Sequence, residues 1–347
     1  MAMRGGNAEN GFLAGIERTL RMRGTWAQRL LCTVMMALFS FIRLPGGGYC
    51  CQGAMFAVLL RQGFCVPAGF VGVMLGFAAQ YAFGELAGCW QLPVCTLLWL
   101  STGLWAKPAN RMTMAAAVFL IQLTAAAVTG LGNGYEMVIV ALTAVAGAGL
   151  SVLYDGAALT VSRRDELDGE TRPICVMAVC ASLAAGVMPL PGGQAVAASM
   201  ALYLTLEHAY VGGATQAILC AGVMGGVISM MQSNPQTLAM LLIGGFLGGE
   251  IKTHRKFVCA LLMLCGVAAG TALMAGSMEA IRQALFALPG MIPFLALSSV
   301  RRAAVTSLVE QAEPEEMTQS EAVAVRSAAM IHSWARLYED TARMMEG

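Results

Sequence analysis

Between Leu30 and Val300 the chain is a succession of apolar runs, broken only by glycine, proline or a few charges. This patterning constrains the fold more than any motif does. The runs are continuous rather than alternating with period two, so they read as helices and not as barrel strands. Crossing the hydrocarbon layer takes about 20 residues, and several runs reach that length. A helix is also the segment that satisfies its own backbone where no water can. Composition agrees: 58% of the residues are apolar and 12% charged, against roughly 45–50% and about 25% in an ordinary soluble domain. Such a chain cannot clothe a normal water-facing surface, which excludes a soluble enzyme as the default reading. Disorder is excluded as well, because it needs low hydrophobicity and high net charge. With 21 Lys and Arg against 20 Asp and Glu there is no basic excess for nucleic acid.

The sequence predicts an all-α, polytopic integral membrane bundle with about ten transmembrane helices, in a range of nine to twelve. The candidate spans are Leu30–Ile42, Tyr49–Leu60, Phe64–Phe83, Leu92–Trp105, Met112–Gly130, Met137–Leu159, Ile174–Met188, Ala195–Tyr210, Val211–Met231, Thr237–Gly249, Phe257–Ala275 and Met278–Leu297. The shortest of these read as half-helices, re-entrant pairs or spans cut too tightly. Three regions follow: a basic head at 1–29, the membrane domain at 30–300, and a hydrophilic tail at 301–347. Crossing at each run places every Lys and Arg except Arg43 and Arg282 on one side. Cations mark the cytoplasmic side, so both termini are expected in the cytoplasm. No cleavable signal is recognisable, since the first apolar run follows a long basic head. In the tail, Thr318-x-x-Glu321 opens a helical pattern. Its apolar seam includes Ile331, Trp334 and Tyr338, a surface for self-association or membrane contact.

Forty glycines are the loudest compositional feature. Gly222 and Gly226, Gly244 and Gly248, Gly245 and Gly249, and Gly266 and Gly270 stand four apart, the spacing that lets membrane helices approach closely. Packing is the preferred reading over a pore. Ionisable groups inside apolar spans are functional candidates by default. Here these are Glu85, Asp155, Glu207, Glu250 and Arg282; Glu85 lies at a span edge and Arg282 pairs in sequence with Glu279, which leaves Asp155, Glu207 and Glu250 as a possible polar site, and Glu250 abuts the basic loop at Lys252–Lys256. The eleven cysteines form no Cys-x-x-Cys pair and only three histidines are present, so no metal or cofactor is predicted. The cysteines read as small packing residues. No catalytic motif appears.

The stretch from Gly212 to Ala304 resembles the N-terminal membrane domain of stage II sporulation protein E. The resemblance rests on Gly212-Gly213-Ala214 opening a glycine-spaced span and on the polar turn Ser233-Asn234-Pro235. The run Leu238 to Gly249, the basic loop Lys252–Lys256 and the basic stop Arg301–Arg302 before an acidic linker complete it. The resemblance implies an anchor that places a serine/threonine phosphatase at the asymmetric division septum. It also implies a tubulin-like division protein as partner, and self-association. The family's metal-dependent phosphatase domain would follow the linker and is absent from these residues, so the chain itself is expected to be non-catalytic. The expected function is therefore membrane anchoring, localisation and self-assembly, in the bacterial inner membrane. The alternative is a small-solute transporter or channel. An intramembrane enzyme would need Asp155 and Glu207-His208 brought together.

Overall fold

A computed structural model describes residues 25–43, 48–84, 90–102, 110–129, 134–161, 171–250, 256–273 and 278–296. The head, the tail with its Ile331, Trp334 and Tyr338 seam, and several connecting loops lie outside the described residues. Those described are helical, with no strand among them. In chain order the helices are α1 (Trp26–Phe39), α2 (Cys51–Gln62), α3 (Val66–Ala82), α4 (Gln91–Ser101), α5 (Arg111–Thr129) and α6 (Gly134–Val161). They continue with α7 (Thr171–Val187), α8 (Gly193–Gln232), α9 (Gln236–Glu250), α10 (Lys256–Leu273), α11 (Met278–Ala287) and α12 (Met291–Ala296). Among the described residues, three segments are long and apolar enough to cross a membrane: Met137–Thr160, Gly193–Gln232 and Lys256–Leu273.

Helix α1 begins at Trp26 because Thr25 caps it. The Thr25 hydroxyl accepts from the Gln28 N–H, and the Gln28 side chain accepts from the Thr25 N–H at 2.9 Å. Such a reciprocal box satisfies two of the donors a helix start leaves open. Contacts between side chains set the directions. Ala68 accepts from the Thr33 hydroxyl at 2.9 Å, and Gly76 lies against Ser40, so α1 and α3 run in parallel. Gly76 also faces Gln52 while Gly69 faces Leu59, so α2 runs the opposite way between them.

Helix α8 is not one rod. Gly213 interrupts it with φ 71° and ψ −165°, a region essentially reserved for glycine. The Thr205 hydroxyl reaches the Cys220 sulfur at 4.0 Å. On a straight helix those residues would be about 22 Å apart. The two arms, 193–212 and 214–232, therefore fold back on each other as a hairpin. Each arm is about 30 Å long, the thickness of a hydrocarbon layer. The sequence placed this junction at Val211, two residues early. It also read Met278–Leu297 as one span, whereas a 3₁₀ turn at Leu288–Gly290 separates α11 from α12. Pro289 has no N–H to continue the ladder.

The core comes in connected parts. One apolar cluster joins α1 to α5, and includes the rings of Phe56, Phe70 and Trp99 in edge-to-face contact. Another joins α7 to α12 around Leu202, Leu206, Met224 and Met263. Leu75, Leu142, Val145, Leu219, Phe246 and Leu261 are exposed, while Gln52, Gln122, Asp155 and Glu207 are buried. Large apolar side chains outside and amide and carboxylate groups inside invert the usual soluble pattern. The arrangement suits lipid contact.

Candidate functional site

The chemistry of the N-terminal half collects around α2. Nine of its residues are buried, including Gln52 and Gly53. It has 12 residues, or about 18 Å, shorter than a hydrocarbon layer. The backbone preceding it is irregular, and in an apolar setting its carbonyls need partners. Glutamines supply them. Gln91 donates from Nε2 to the Tyr49 carbonyl, and its Oε1 accepts from the Gly53 N–H at 3.0 Å. Gln122 donates to the Cys50 carbonyl at 3.1 Å. Gln52 donates to the Met36 carbonyl at 3.0 Å, and Gln80 donates to that of Ser40, both near the end of α1. Gly147 on α6 makes room for Gln122, whose Oε1 would collide with any Cβ there. Gly147 lies about 20 Å along α6 from its start, close to its midpoint. The α1–α2 junction thus sits halfway along the longest uninterrupted helix.

At the other end of α2 is an ion cluster. Arg61 grips Asp155 of α6 with both branches, Nε to Oδ1 at 2.7 Å and Nη2 to Oδ2 at 2.6 Å. Gln62 adds a bond to Oδ1 at 2.9 Å. Arg111, the first residue of α5, brings its Nε to 3.6 Å from Oδ2 and donates from Nη2 to the Val152 carbonyl at 2.6 Å. The Asp155 side chain is 3% exposed, so its charge requires this pairing. One turn of chemistry away, the Tyr154 hydroxyl shares a hydrogen bond with Ser182 of α7 at 2.5 Å, and its ring packs on Phe39. A Tyr154→Phe variant is expected to lose about 1 kcal/mol, since Ser182 keeps its bond to Ala178. A thermal scan in detergent should show a drop of roughly 2–4 °C.

The other two carboxylates lie elsewhere. Glu207 is fully buried in the first arm of α8, near the Cys259 thiol of α10. It is not at a span junction, as the sequence placed it, because the chain reverses only at Gly213. His208 is 3% exposed and donates from Nδ1 to the Leu204 carbonyl at 2.8 Å. Among the described residues its Nε2 has no hydrogen-bond partner. Glu250 is exposed at the end of α9. Asp155 and Glu207 thus belong to separate groups, one on α2, α5 and α6, the other on α8 and α10.

The glycines divide by face. On α9, Gly245 and Gly249 turn to the α8 hairpin, where an added Cβ would stand 3.0 Å from Thr205 and 2.5 Å from Ala214. Gly244 and Gly248 turn to α10, against Met263. Gly266 lies on the Gly244 backbone and Gly270 on that of Met240. Gly222 and Gly226 differ: a Cβ on either meets nothing within 4 Å, and Gly225 makes the close approach to Leu238. A cavity of about 530 Å³ lies at the hairpin's open end, lined by Met188, Gln194, Gln232, Asn234, Glu279 and Gln283 among others. Gln232 donates to Gln283 at 3.3 Å and Gln283 to Glu279 at 2.9 Å. The described His, Cys, Asp and Glu residues form no group able to hold a metal ion.

No protein-family model matches the chain, nor does any curated protein or solved structure.

The sequence flagged Asp155 but not its partners. In the sequence Arg61 and Arg111 stand only among the cations that fall on one side. The glutamines carried a usable signal: each is a lone amide in an apolar run and must find a buried partner.

Proposed function

We propose that the chain is a polytopic membrane anchor that localises and self-assembles, and is not itself catalytic. It crosses the bacterial inner membrane about ten times, with both termini in the cytoplasm. Its tail leads toward a phosphatase domain, and its place is the asymmetric division septum beside a tubulin-like division protein. The observation that carries this reading is how the deep polar groups are used. Asp155 is bound by Arg61 and Gln62, and Gln52, Gln80, Gln91 and Gln122 each hold a backbone carbonyl. These groups fasten helices together. Glycine contacts among α8, α9 and α10 fasten the other half. The hairpin in α8 supports counting it as two crossings. A fluorescently tagged chain is expected to gather at division sites of sporulating cells and to cross-link to itself. A uniform membrane signal with only monomeric product would reject the proposal.

A small-solute transporter is the second reading. The non-helical backbone at 48–50, just before α2, favours it, since irregular backbone at membrane depth often lines a binding site. Solute uptake into proteoliposomes carrying the purified chain separates the two.

A further inference from the structure

The cavity at the open end of the α8 hairpin lies where the start and the end of that helix meet α11. Its volume of about 530 Å³ is within the range of sites that enclose a small molecule. A directed chain of hydrogen bonds builds its wall. The Thr237 hydroxyl of α9 donates to Gln232 Oε1 at 3.3 Å, Gln232 Nε2 to Gln283 Oε1 at 3.3 Å, and Gln283 Nε2 to Glu279 Oε1 at 2.9 Å. A carboxylate only accepts, so Glu279 fixes the orientation of both amides. Thr237 and Gln283 are buried, while the Glu279 side chain is 44% exposed, so the chain runs from the interior to the surface. Glu279 Oε2 stands 3.7 Å from Arg282 Nη1, beyond hydrogen-bond distance. Arg282 lies instead over the Phe286 ring, 5.1 Å from its centre. Gln194 also lines the cavity, and among the described residues its amide has no hydrogen-bond partner.

We propose that this cavity binds a sugar of about one or two rings. Its wall offers donors and acceptors side by side. Gln194 brings a whole amide, Gln232 and Gln283 each keep one further amide hydrogen, and Glu279 keeps Oε2 as an acceptor. A hydroxyl donates and accepts at one atom, so a ring of hydroxyls meets both sets. An ammonium group would satisfy the acceptors and leave the amide hydrogens unmet. An anion would face the Glu279 carboxylate. An apolar ligand would strip water from the amides without replacing its hydrogen bonds, which is costly. Met188 and Met231 supply adaptable apolar contact for the C–H face of a sugar ring. This inference goes beyond the anchor reading and does not depend on which side of the membrane the cavity faces.

Saturation-transfer NMR on the full chain in lipid nanodiscs, which avoid sugar-headed detergents, tests it. The probes are glucose, N-acetylglucosamine, maltose and sucrose, with putrescine and succinate as charged controls. At least one of the four sugars is expected to bind saturably, and neither control should. Gln194→Ala should weaken that binding several-fold, up to about tenfold, the worth of one or two hydrogen bonds. Its fold should survive, because the Gln194 amide bonds to no described residue. Glu279→Gln should weaken binding by a similar factor, since it keeps one acceptor for Gln283 and turns the other into a donor. Glu250→Gln should change nothing, because Glu250 is exposed at the end of α9, beside the closed end of the hairpin where Gly249 meets Ala214. Should Gln194→Ala fail to fold, Glu279→Gln carries the same test. No saturable binding of any of the four sugars overturns the proposal, as does binding of putrescine or succinate as strong as that of any sugar. So does a folded Gln194→Ala chain that binds the sugar like the parent.

Discussion

The Gly249→Val variant will lose the packing of α9 on the α8 hairpin, while Gly222→Ala will unfold at the parent temperature or slightly above it. The contrast isolates backbone contact from glycine content. At Gly249 even a single Cβ would stand 2.5 Å from both the Cα and the N of Ala214, and 2.6 Å from the Gly213 carbonyl carbon. None of these is the end of a flexible side chain, so the helices themselves must move apart. Overpacking of this kind typically costs 1–3 kcal/mol, and a branched side chain against backbone belongs at about 3 kcal/mol or more. The same displacement would open the contact between Gly245 and Thr205 one turn earlier. At Gly222 the space is open, and alanine removes the entropic penalty of a helical glycine, up to about 1 kcal/mol. Unfolding in detergent, followed by circular dichroism, reads both. Equal midpoints for the parent and Gly249→Val would mean that α9 and the hairpin do not touch as described.

How much of this was legible follows the range of each interaction. Apolar runs mark helices because the backbone in an apolar setting has few other choices: eleven of the twelve candidate segments each overlap one helix or helical arm, and Met278–Leu297 divides into α11 and α12. Their ends were less legible, because they depend on single residues such as Thr25, Gly213 and Pro289. The four-residue glycine spacing pointed to α9, whose two glycine pairs face two different neighbours. Spacing alone also pointed to Gly222 and Gly226, which face open space, because periodicity says where a face is and not what opposes it. The partners of Asp155 were the least legible. Arg61 is 94 positions away in the chain, and only the packing of α2 on α6 brings the two together. The buried glutamines were within reach, since an amide in an apolar run carries a cost that must be met somewhere.

Asp155→Asn is expected to destabilise the chain by about 3 kcal/mol, the low end for breaking a buried ion pair. The low end applies because both arginines retain some exposure. Asparagine has nearly the shape of aspartate, so a cavity cannot account for the loss. It has one acceptor oxygen where Asp155 uses two, and its amide would point donors at Arg61 or Gln62. Two guanidiniums would then share the end of α2 without the Asp155 carboxylate between them. The companion Arg61→Gln should restore part of the loss when combined with Asp155→Asn, because neighbours in one network are not additive. That recovery distinguishes the readings of the site. If Asp155 serves only to hold α2, α5 and α6 together, stability falls in the single variant and returns in the double, and localisation follows stability. If Asp155 takes part in moving a solute or a proton, the double variant regains its fold but not its transport in proteoliposomes. An Asp155→Asn chain as stable as its parent would show that the carboxylate does not anchor α2, and would remove the observation on which the anchor reading chiefly rests.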